Sequence, residues 1–232
     1  MSISDMPGLG QMLPNLIDFV YLVPAVLLAM TIHEYAHGYV SYRLGDPTPV
    51  HDGRLSLNPL HHLDPLGTIM LILFRFGWAK PVMVNPQYYR RPKQGMAMVA
   101  AAGPLANFVL AFLSIFIYVT ITKLYGGVVP DLWHAALRFF TILASINVGL
   151  GVFNLIPIPP LDGSKVFGAF LPNELYARFL NISTVGFIIV LALFYFGILT
   201  KPLMYLLMTI TNGLVSAADA LTFFLNQPGG LL

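Results

Sequence analysis

Long apolar runs divide the chain into segments of membrane-spanning length. Five runs approach or exceed the ~20 residues that a helix needs to cross a hydrocarbon core of about 30 Å. They occupy residues 17–42, 96–122, 134–156, 180–199 and 203–225. No internal repeat or low-complexity linker separates these runs. The pattern predicts an all-α polytopic membrane protein in which residues 1–232 form one integral membrane domain.

The segment between the first two runs is less regular. Residues 65–78 are apolar, but the stretch is too short to cross a bilayer and is interrupted by Arg75. Residues 78–89 mix β-forming side chains with Pro81 and Pro86, which is typical of edge strands or extended chain. We therefore expect a short re-entrant or β-hairpin element after the first span. The sequence leaves open whether residues 65–78 enter the bilayer.

Composition supports a membrane location. Hydrophobic residues make up 57% of the chain and charged residues 9%, whereas about 25% charged residues is typical of soluble domains. The lipid bilayer is therefore an expected partner. The weak net charge of +2 argues against nucleic acid as a partner. The absence of cysteine excludes a disulfide framework and a thiolate metal site.

Basic residues are distributed unevenly between the loops. Seven of them lie between the first two runs, and none precedes the first run. The positive-inside rule places the basic segment in the cytoplasm and the N-terminus outside. Five spans then place Lys123 outside and the C-terminus inside, and a crossing by residues 65–78 would invert everything after it. An N-terminus without Lys or Arg also lacks the basic start of a signal peptide, so we expect the first apolar run to be retained.

Three ionisable residues interrupt the first apolar run in the stretch TIHEYAHGYV, residues 31–40. On a helix, His33 and His37 lie on one face and can direct two imidazoles at one point. Glu34 is rotated by ~100° from His33, which places its carboxylate beside that point. This is the H-E-x-x-H pattern of two zinc ligands and a general base for water. A polar pair between helices or a proton relay is the alternative.

A catalytic zinc ion needs a third protein ligand, and Asp162 is the best candidate. It lies just after the third run, in the Pro-rich stretch NLIPIPPLDGSKV, which cannot continue as a helix. The predicted topology brings Asp162 to the cytoplasmic end of the membrane, and His33 and His37 lie late in the first span, near that end. Asp-Gly is also a common turn, so Asp162 could instead cap the helix around Ser164.

Two of these stretches resemble the motifs of the site-2 protease family, which are zinc metalloproteases that cleave within membranes. HEYAH, residues 33–37, is the first, and NLIPIPPLDG, residues 154–163, matches the family pattern N-x-x-P-x-P-x-L-D-G at every specified position. AAGPLAN, residues 101–107, looks like the family's G-x-x-x-N element. The resemblance implies a three-helix catalytic core at about residues 17–166, followed by two C-terminal transmembrane helices at about residues 176–226.

The same resemblance assigns roles to individual residues. It implies metal binding or general-base catalysis for four of them: His33, His37 and Asp162 as zinc ligands, and Glu34 as the base. Asn154 and Asn107 match positions thought to orient substrate or to stabilise the oxyanion, a role that suits an amide donor near zinc. For Asn107 there is a structural alternative, because Gly103 and Asn107 could form a small-residue packing seam with one interhelical hydrogen bond.

The loop HDGRLSLNPLHHLDPLG, residues 51–67, carries four further side chains of metal-ligating type: His51, His61, His62 and Asp64. Asn-Pro and Asp-Pro favour turns, and the polar side chains of such a loop usually satisfy nearby backbone groups. We therefore expect this loop to be structural or to gate substrate, with a second metal site as the less favoured alternative.

The expected activity is hydrolysis of a peptide bond in the transmembrane segment of a single-span membrane protein, as in regulated intramembrane proteolysis. The chain length leaves no room for the PDZ or CBS domains of larger members, which marks the compact prokaryotic type. We expect a bacterial cell membrane as the location, with the active site toward the cytoplasmic side, and a homo-oligomer is left open. Two other classes also fit a buried His and Glu: a transporter or proton channel, and a zinc-binding membrane protein without catalysis.

Overall fold

The computed structural model describes residues 16–74, 79–126, 128–180 and 183–223, and their regular secondary structure is helical. The helices are α1 Leu16–Arg43, α2 Thr48–His51, α3 Pro65–Phe74, α4 Pro92–Leu124, α5 Asp131–Asn154, α6 Asp162–Gly168, α7 Asn173–Leu180, α8 Ser183–Tyr195 and α9 Thr200–Leu221. Two 3-10 turns, Pro59–His61 and Pro86–Tyr88, lie in the connection between α1 and α4.

Four helices are long and apolar enough to cross a membrane: α1, α4, α5 and α9. They confirm the prediction of an all-α integral membrane protein. The predicted span at residues 180–199 does not form a helix of spanning length. Helix α8 has only 13 residues, and such a helix rises only about 20 Å, less than the hydrocarbon thickness. The chain turns at Gly197, whose φ is 71°. A hydropathy pattern counts apolar residues and does not detect this turn.

The helices α1, α4 and α5 pack against one another. Small side chains allow the close approach, because Ala25 and Ala29 of α1 and Ala111 of α4 are completely buried. Helix α9 covers the outer side of α4 and α5, where Leu207 packs against the cluster of Ala111 and Val148. The most buried part of the molecule is therefore the junction of α1, α4 and α5.

The end of α9 lies beside the end of α4. Lys123 Nζ is 2.7 Å from Asp219 Oδ1 and also donates to the Asp219 carbonyl at 3.1 Å. Both residues are near the C-terminal ends of their helices, so the two helices end on the same side of the bundle. This arrangement of the helix ends differs from the predicted one, in which Lys123 and the C-terminus lie on opposite sides of the membrane, and the membrane topology stays a prediction.

The connection from α1 to α4 contains one antiparallel β-bridge, between Leu63 and Ala79. Elsewhere in the described ranges no strand is formed, so the predicted β-hairpin stays a prediction. Arg75 and Trp78, which the prediction also used, lie outside the described residues. Residues 79–85 have no regular secondary structure.

Asp46, just after α1, holds the end of the segment 79–85 through a hydrogen bond to Asn85. Its buried carboxylate accepts the Asn85 N–H at 2.7 Å, the Ser41 hydroxyl at 2.7 Å and the Thr48 N–H at 3.0 Å. Burial raises the pKa of Asp46, but the hydrogen bonds from Thr48, Asn85 and Ser41 lower this pKa by more, to below its usual value. The carboxylate therefore remains ionised and keeps these donors in place.

Candidate metal centre

Two imidazoles of α1 meet at one point. The Nε2 atoms of His33 and His37 are 3.0 Å apart, and the two rings are nearly perpendicular, at 89°. Both side chains are buried. Their spacing of four residues on one helix places them on the same face, as the H-E-x-x-H pattern predicts.

Asp162 brings a carboxylate to the same point. Its Oδ2 lies 3.2 Å from His33 Nε2 and 3.1 Å from His37 Nε2. Asp162 is the first residue of α6, and the N-cap position, held by Leu161, makes no side-chain capping bond. The carboxylate is thus directed at the imidazoles and not at the helix end.

Gly163 explains how the turn after α5 can place Asp162 there. A Cβ at this position would lie 2.3 Å from the Leu155 carbonyl oxygen. Only glycine therefore allows the start of α6 to rest on the backbone that leaves α5. The Asp-Gly pair of the sequence motif combines a ligand with the residue that lets it reach the site.

The hydrogen bonds of the outer ring nitrogens determine what the inner ones can do. His33 Nδ1 lies 2.6 Å from Asn107 Oδ1, and His37 Nδ1 lies 2.7 Å from the Val99 carbonyl oxygen. Both partners are acceptors, so each Nδ1 carries the proton and each Nε2 presents a lone pair. Two lone pairs and a carboxylate thus converge on one point, and a cation is the partner that satisfies all three.

The spacing of these three atoms suits zinc. Ligands at ~2.0 Å from a tetrahedral ion are about 3.3 Å apart, and the observed separations are 3.0, 3.1 and 3.2 Å. His33, His37 and Asp162 also form the one group of metal-ligating type found among the described residues. The donor set, two imidazoles and a carboxylate, is that of a catalytic zinc site with an open fourth position.

Asn107 supports the site from behind. It is completely buried, and its Nδ2 donates to the Ala29 carbonyl at 3.2 Å and to Asn147 Oδ1 at 2.7 Å. Its Oδ1 is therefore the atom that faces His33. Asn147, which the sequence reasoning missed, is itself fixed by a bond from its Nδ2 to the Leu143 carbonyl at 2.8 Å. The hydrogen bonds of these two asparagine side chains thus link α1, α4 and α5.

Gly103 lets α4 reach the histidine pair. A Cβ at this position would lie 2.6 Å from His33 Cε1 and 2.6 Å from both Cε1 and Nε2 of His37. Real Cβ contacts do not reach such distances, and the rings have no room to retreat because their outer nitrogens are hydrogen-bonded. The glycine of AAGPLAN is therefore a close-approach position.

A cavity of about 220 Å³ opens beside the three ligand atoms. Glu34 lines this cavity, and its Oε2 accepts the Val82 N–H at 2.9 Å. The second carboxylate oxygen of Glu34, Oε1, takes no part in this bond. Pro81, Val82 and Val84 also line the cavity, so this irregular segment borders the same space as the three ligand atoms.

Two further polar side chains line the cavity. Asn154 does so while its Nδ2 donates one N–H to the Leu150 carbonyl at 3.0 Å, which leaves its second amide N–H. Lys165, which the sequence reasoning missed, places its Nζ 3.4 Å from Asp162 Oδ1. Asn107 is not part of the described lining, so the two asparagines that the sequence grouped together lie in different surroundings.

The loop histidines bind backbone and not one another. His61 Nδ1 lies 3.1 Å from the Gly53 carbonyl oxygen, and His62 Nε2 lies 2.7 Å from the Ser56 carbonyl oxygen. His51 is exposed. The described residues contain no second group of metal-ligating type, and a structural or gating role of this loop stays a prediction.

Comparison with known proteins bears on the chemistry of this site. Residues 119–194 match peptidase family M50, a range that includes α5 and Asp162 but begins after the histidine pair. YwhC of Bacillus subtilis, named as a candidate zinc metalloprotease, is 40% identical over 175 residues, which are 75% of this chain and 80% of that protein. No solved structure is significantly similar to this chain.

More distant relatives carry similar names. Rip2 of Mycolicibacterium smegmatis, also named as a candidate zinc metalloprotease, is 30% identical over 183 residues, which are 75% of this chain and 66% of that protein. Zinc metalloprotease MJ0392 of Methanocaldococcus jannaschii is 23% identical over 198 residues, covering 84% of this chain and 48% of that protein. The similarity to YwhC over most of both chains, with the family match and the spanning helices, shows that this chain belongs to peptidase family M50, the site-2 proteases, and is a membrane zinc metalloprotease.

Proposed function

We propose that the protein hydrolyses a peptide bond within the transmembrane segment of a single-span membrane protein, with zinc held by His33, His37 and Asp162. One observation carries the proposal: three metal-ligating atoms and the Glu34 carboxylate meet in a cavity inside the helix bundle. His33 precedes Arg43, the last residue of α1, by about 15 Å of helix rise, which supports a position of the reacting groups below the membrane surface.

The chemistry follows from the side chains of the cavity. Bound zinc supplies Lewis acidity, which makes water nucleophilic near neutral pH and polarises a peptide carbonyl. Glu34 is held through Oε2 by the Val82 N–H, and its Oε1 takes a proton as the water oxygen bonds to the carbonyl carbon. The proton then passes to the amide nitrogen as the C–N bond breaks. We expect the second N–H of Asn154 to hold the carbonyl oxygen of the substrate.

The catalytic core in this proposal consists of α1, α4 and α5, about residues 17–166, within one membrane domain. Asn107 takes the role of a positioning residue, because its hydrogen bonds go to His33, Ala29 and Asn147. The helices after α6, about residues 176–226, would support the core. Sidedness is proposed from the charge pattern: the N-terminus outside a bacterial cell and the zinc site toward the cytoplasm.

A substrate helix must unwind before its carbonyls can be attacked, because they are engaged in intrahelical hydrogen bonds. We expect the unwound segment to lie along residues 81–84, in the manner of strand addition. Replacing Met83, which is 62% exposed, by proline removes a backbone donor there, and Met83→Ala is the matched control. Met83→Pro should lower cleavage and leave zinc bound. Equal cleavage by the two variants would contradict strand addition.

The experiment that tests the function combines metal analysis with a cleavage assay on candidate single-span substrates in proteoliposomes. Glu34→Gln should keep one zinc ion per chain and lose about 10²–10⁴-fold in cleavage rate, the typical contribution of a general base. Glu174→Gln, at an exposed position on α7, is the matched control and should cleave normally. Cleavage by Glu34→Gln at the normal rate would refute the role of the base, and ion flux without cleavage would favour a transporter.

A further inference from the structure

A second cavity, of about 680 Å³, lies between the end of α1 and the start of α4. Three arginines line it: Arg43 from α1, and Arg90 and Arg91 from the residues just before α4. The lining includes no carboxylate. Three like charges around one space repel one another unless an anion lies between them.

The arginine side chains are not neutralised by the protein itself. Arg43 Nη1 donates to the Tyr39 hydroxyl at 2.9 Å, and Arg91 Nη1 donates to Gln94 Oε1 at 3.3 Å. Within the described part of the chain, Arg43, Arg90 and Arg91 form no ion pair. These neutral hydrogen bonds orient two guanidinium groups and leave donors over for a ligand, since each guanidinium carries five N–H groups.

The start of α4 adds to the positive character of this cavity. Pro92 is the first residue of the helix, and Arg91 at the N-cap position makes no side-chain capping bond. The N–H groups at the start of a 33-residue helix have no carbonyl partner within the helix, and its dipole favours an anion. Gln94, in this first turn, belongs to the cavity lining. The start of α4 and the three arginines therefore both favour an anionic ligand.

Part of the cavity wall is apolar. Met98, one turn further along α4 from Gln94, is 56% exposed, and Leu44 from the end of α1 faces the same space. Cationic groups at the helix ends above an apolar wall match the two parts of a phospholipid, its phosphate and its acyl chain. A free phosphate ion would use the cationic part alone.

We propose that this cavity binds the phosphate group of an anionic phospholipid headgroup. Arg43, Arg90 and Arg91 contact the phosphate oxygens, and Met98 contacts the start of an acyl chain. The site is separate from the zinc cavity, and no residue lines both. Its existence does not depend on the proposed proteolysis, and its test uses binding only.

The test is native mass spectrometry of the full chain, released from neutral detergent and titrated with phosphatidylglycerol or phosphatidylcholine. Arg90→Gln with Arg91→Gln removes two charges from the cavity, and Arg178→Gln with Lys201→Gln removes two charges from exposed positions elsewhere. A third variant, Gln94→Glu, places a carboxylate in the cavity and keeps the acceptor for Arg91. Zinc content reports the folded state of every variant.

The proposal predicts that the wild-type chain binds phosphatidylglycerol about tenfold more tightly than phosphatidylcholine, because both lipids carry a phosphate but the three arginines repel the choline cation of phosphatidylcholine. The cavity double variant and Gln94→Glu should each lose that preference, and the control double variant should keep it. Competition by inorganic phosphate at millimolar concentration would support the anion site and show that a free ion also occupies it. Equal losses in both double variants, or no preference for phosphatidylglycerol in the wild type, would overturn the proposal.

Discussion

At the residue scale, the outer nitrogens of the two histidines determine the chemistry of the inner ones. Asn107 Oδ1 and the Val99 carbonyl accept from the Nδ1 atoms of His33 and His37. This fixes the neutral tautomer in which Nε2 is free to bind a cation. The metal centre therefore requires acceptors on α4 as well as the ligands on α1.

This arrangement predicts opposite behaviour for the two asparagines that the sequence grouped together. Asn107→Ala removes the acceptor for His33 and should weaken zinc binding about 10–100-fold, the usual effect of losing such a partner. Asn154→Ala, whose side chain lines the cavity, should bind zinc normally and cleave more slowly. Zinc titration of both variants against a competing chelator checks this. Equal zinc affinities in the two variants would contradict the positioning role of Asn107.

The grouping of His33, His37 and Asp162 could be predicted from the sequence, because their spacing and their motif encode it. His33 and His37 share one helix face with Glu34 beside it, and Asp162 belongs to the Pro-rich motif that follows α5. Asn147 and Lys165 could not be predicted in the same way, because their contacts depend on how α5 and α6 fold back on the core. A lone Asn in an apolar run or a Lys after Asp-Gly carries no local signal of such a partner.

At the element scale, the close approach of α4 to α1 is what completes the metal centre. The approach depends on Gly103, which faces both imidazoles at a distance that excludes a methyl group. The turn from α5 into α6 depends in the same way on Gly163. The two glycines thus allow two close contacts at the site, that of α4 with α1 and that of α6 with the backbone after α5.

Gly103→Ala tests this directly. The added methyl group should push α4 away from the histidine rings, and overpacking of this kind typically costs about 1–3 kcal/mol in stability. We expect weaker zinc binding and slower cleavage. Gly149→Ala on α5 is the matched control, because no atom lies within 4 Å of its Cβ position. Thermal unfolding and zinc titration distinguish the two, and unaltered zinc binding in Gly103→Ala would contradict the close approach.

The apolar pattern predicted α1, α4, α5 and α9 to within a few residues, since long apolar helices are set by hydropathy alone. It did not predict the division at residues 180–199, where the apolar run continues through the turn at Gly197. The apolar pattern also predicted little about the elements between α1 and α4. Residues 79–85 are held there by tertiary hydrogen bonds, such as that from the Asn85 N–H to Asp46.

At the scale of the whole molecule, the ends of α4 and α9 share one side of the bundle. Their pairing through Lys123 and Asp219 requires an even number of crossings between the end of α4 and the end of α9. We propose that α5 and α9 supply those two crossings and that α8 stays on the side of the zinc site, where Gly186 lies against the Pro159 carbonyl.

The absence of cysteine in the chain allows this topology to be measured with single cysteines. Leu57→Cys lies in the loop after α1, Val128→Cys lies between α4 and α5, and Ala220→Cys lies near the end of α9; all three positions are exposed. A membrane-impermeant maleimide should label the second and third in intact cells and the first only after permeabilisation. Labelling of Ala220→Cys only after permeabilisation, as for Leu57→Cys, would support the five-span topology instead. The cysteine-free parent protein controls for background labelling.

The most direct test of the account is the zinc content of purified Asp162→Ala beside Glu34→Gln and Asp219→Ala. The account predicts one zinc ion per chain in Glu34→Gln and in Asp219→Ala, whose carboxylate is at the far end of the bundle. It predicts loss of tightly bound zinc in Asp162→Ala, which removes one of three protein ligands. Full zinc content and unaltered zinc affinity in Asp162→Ala would contradict the account.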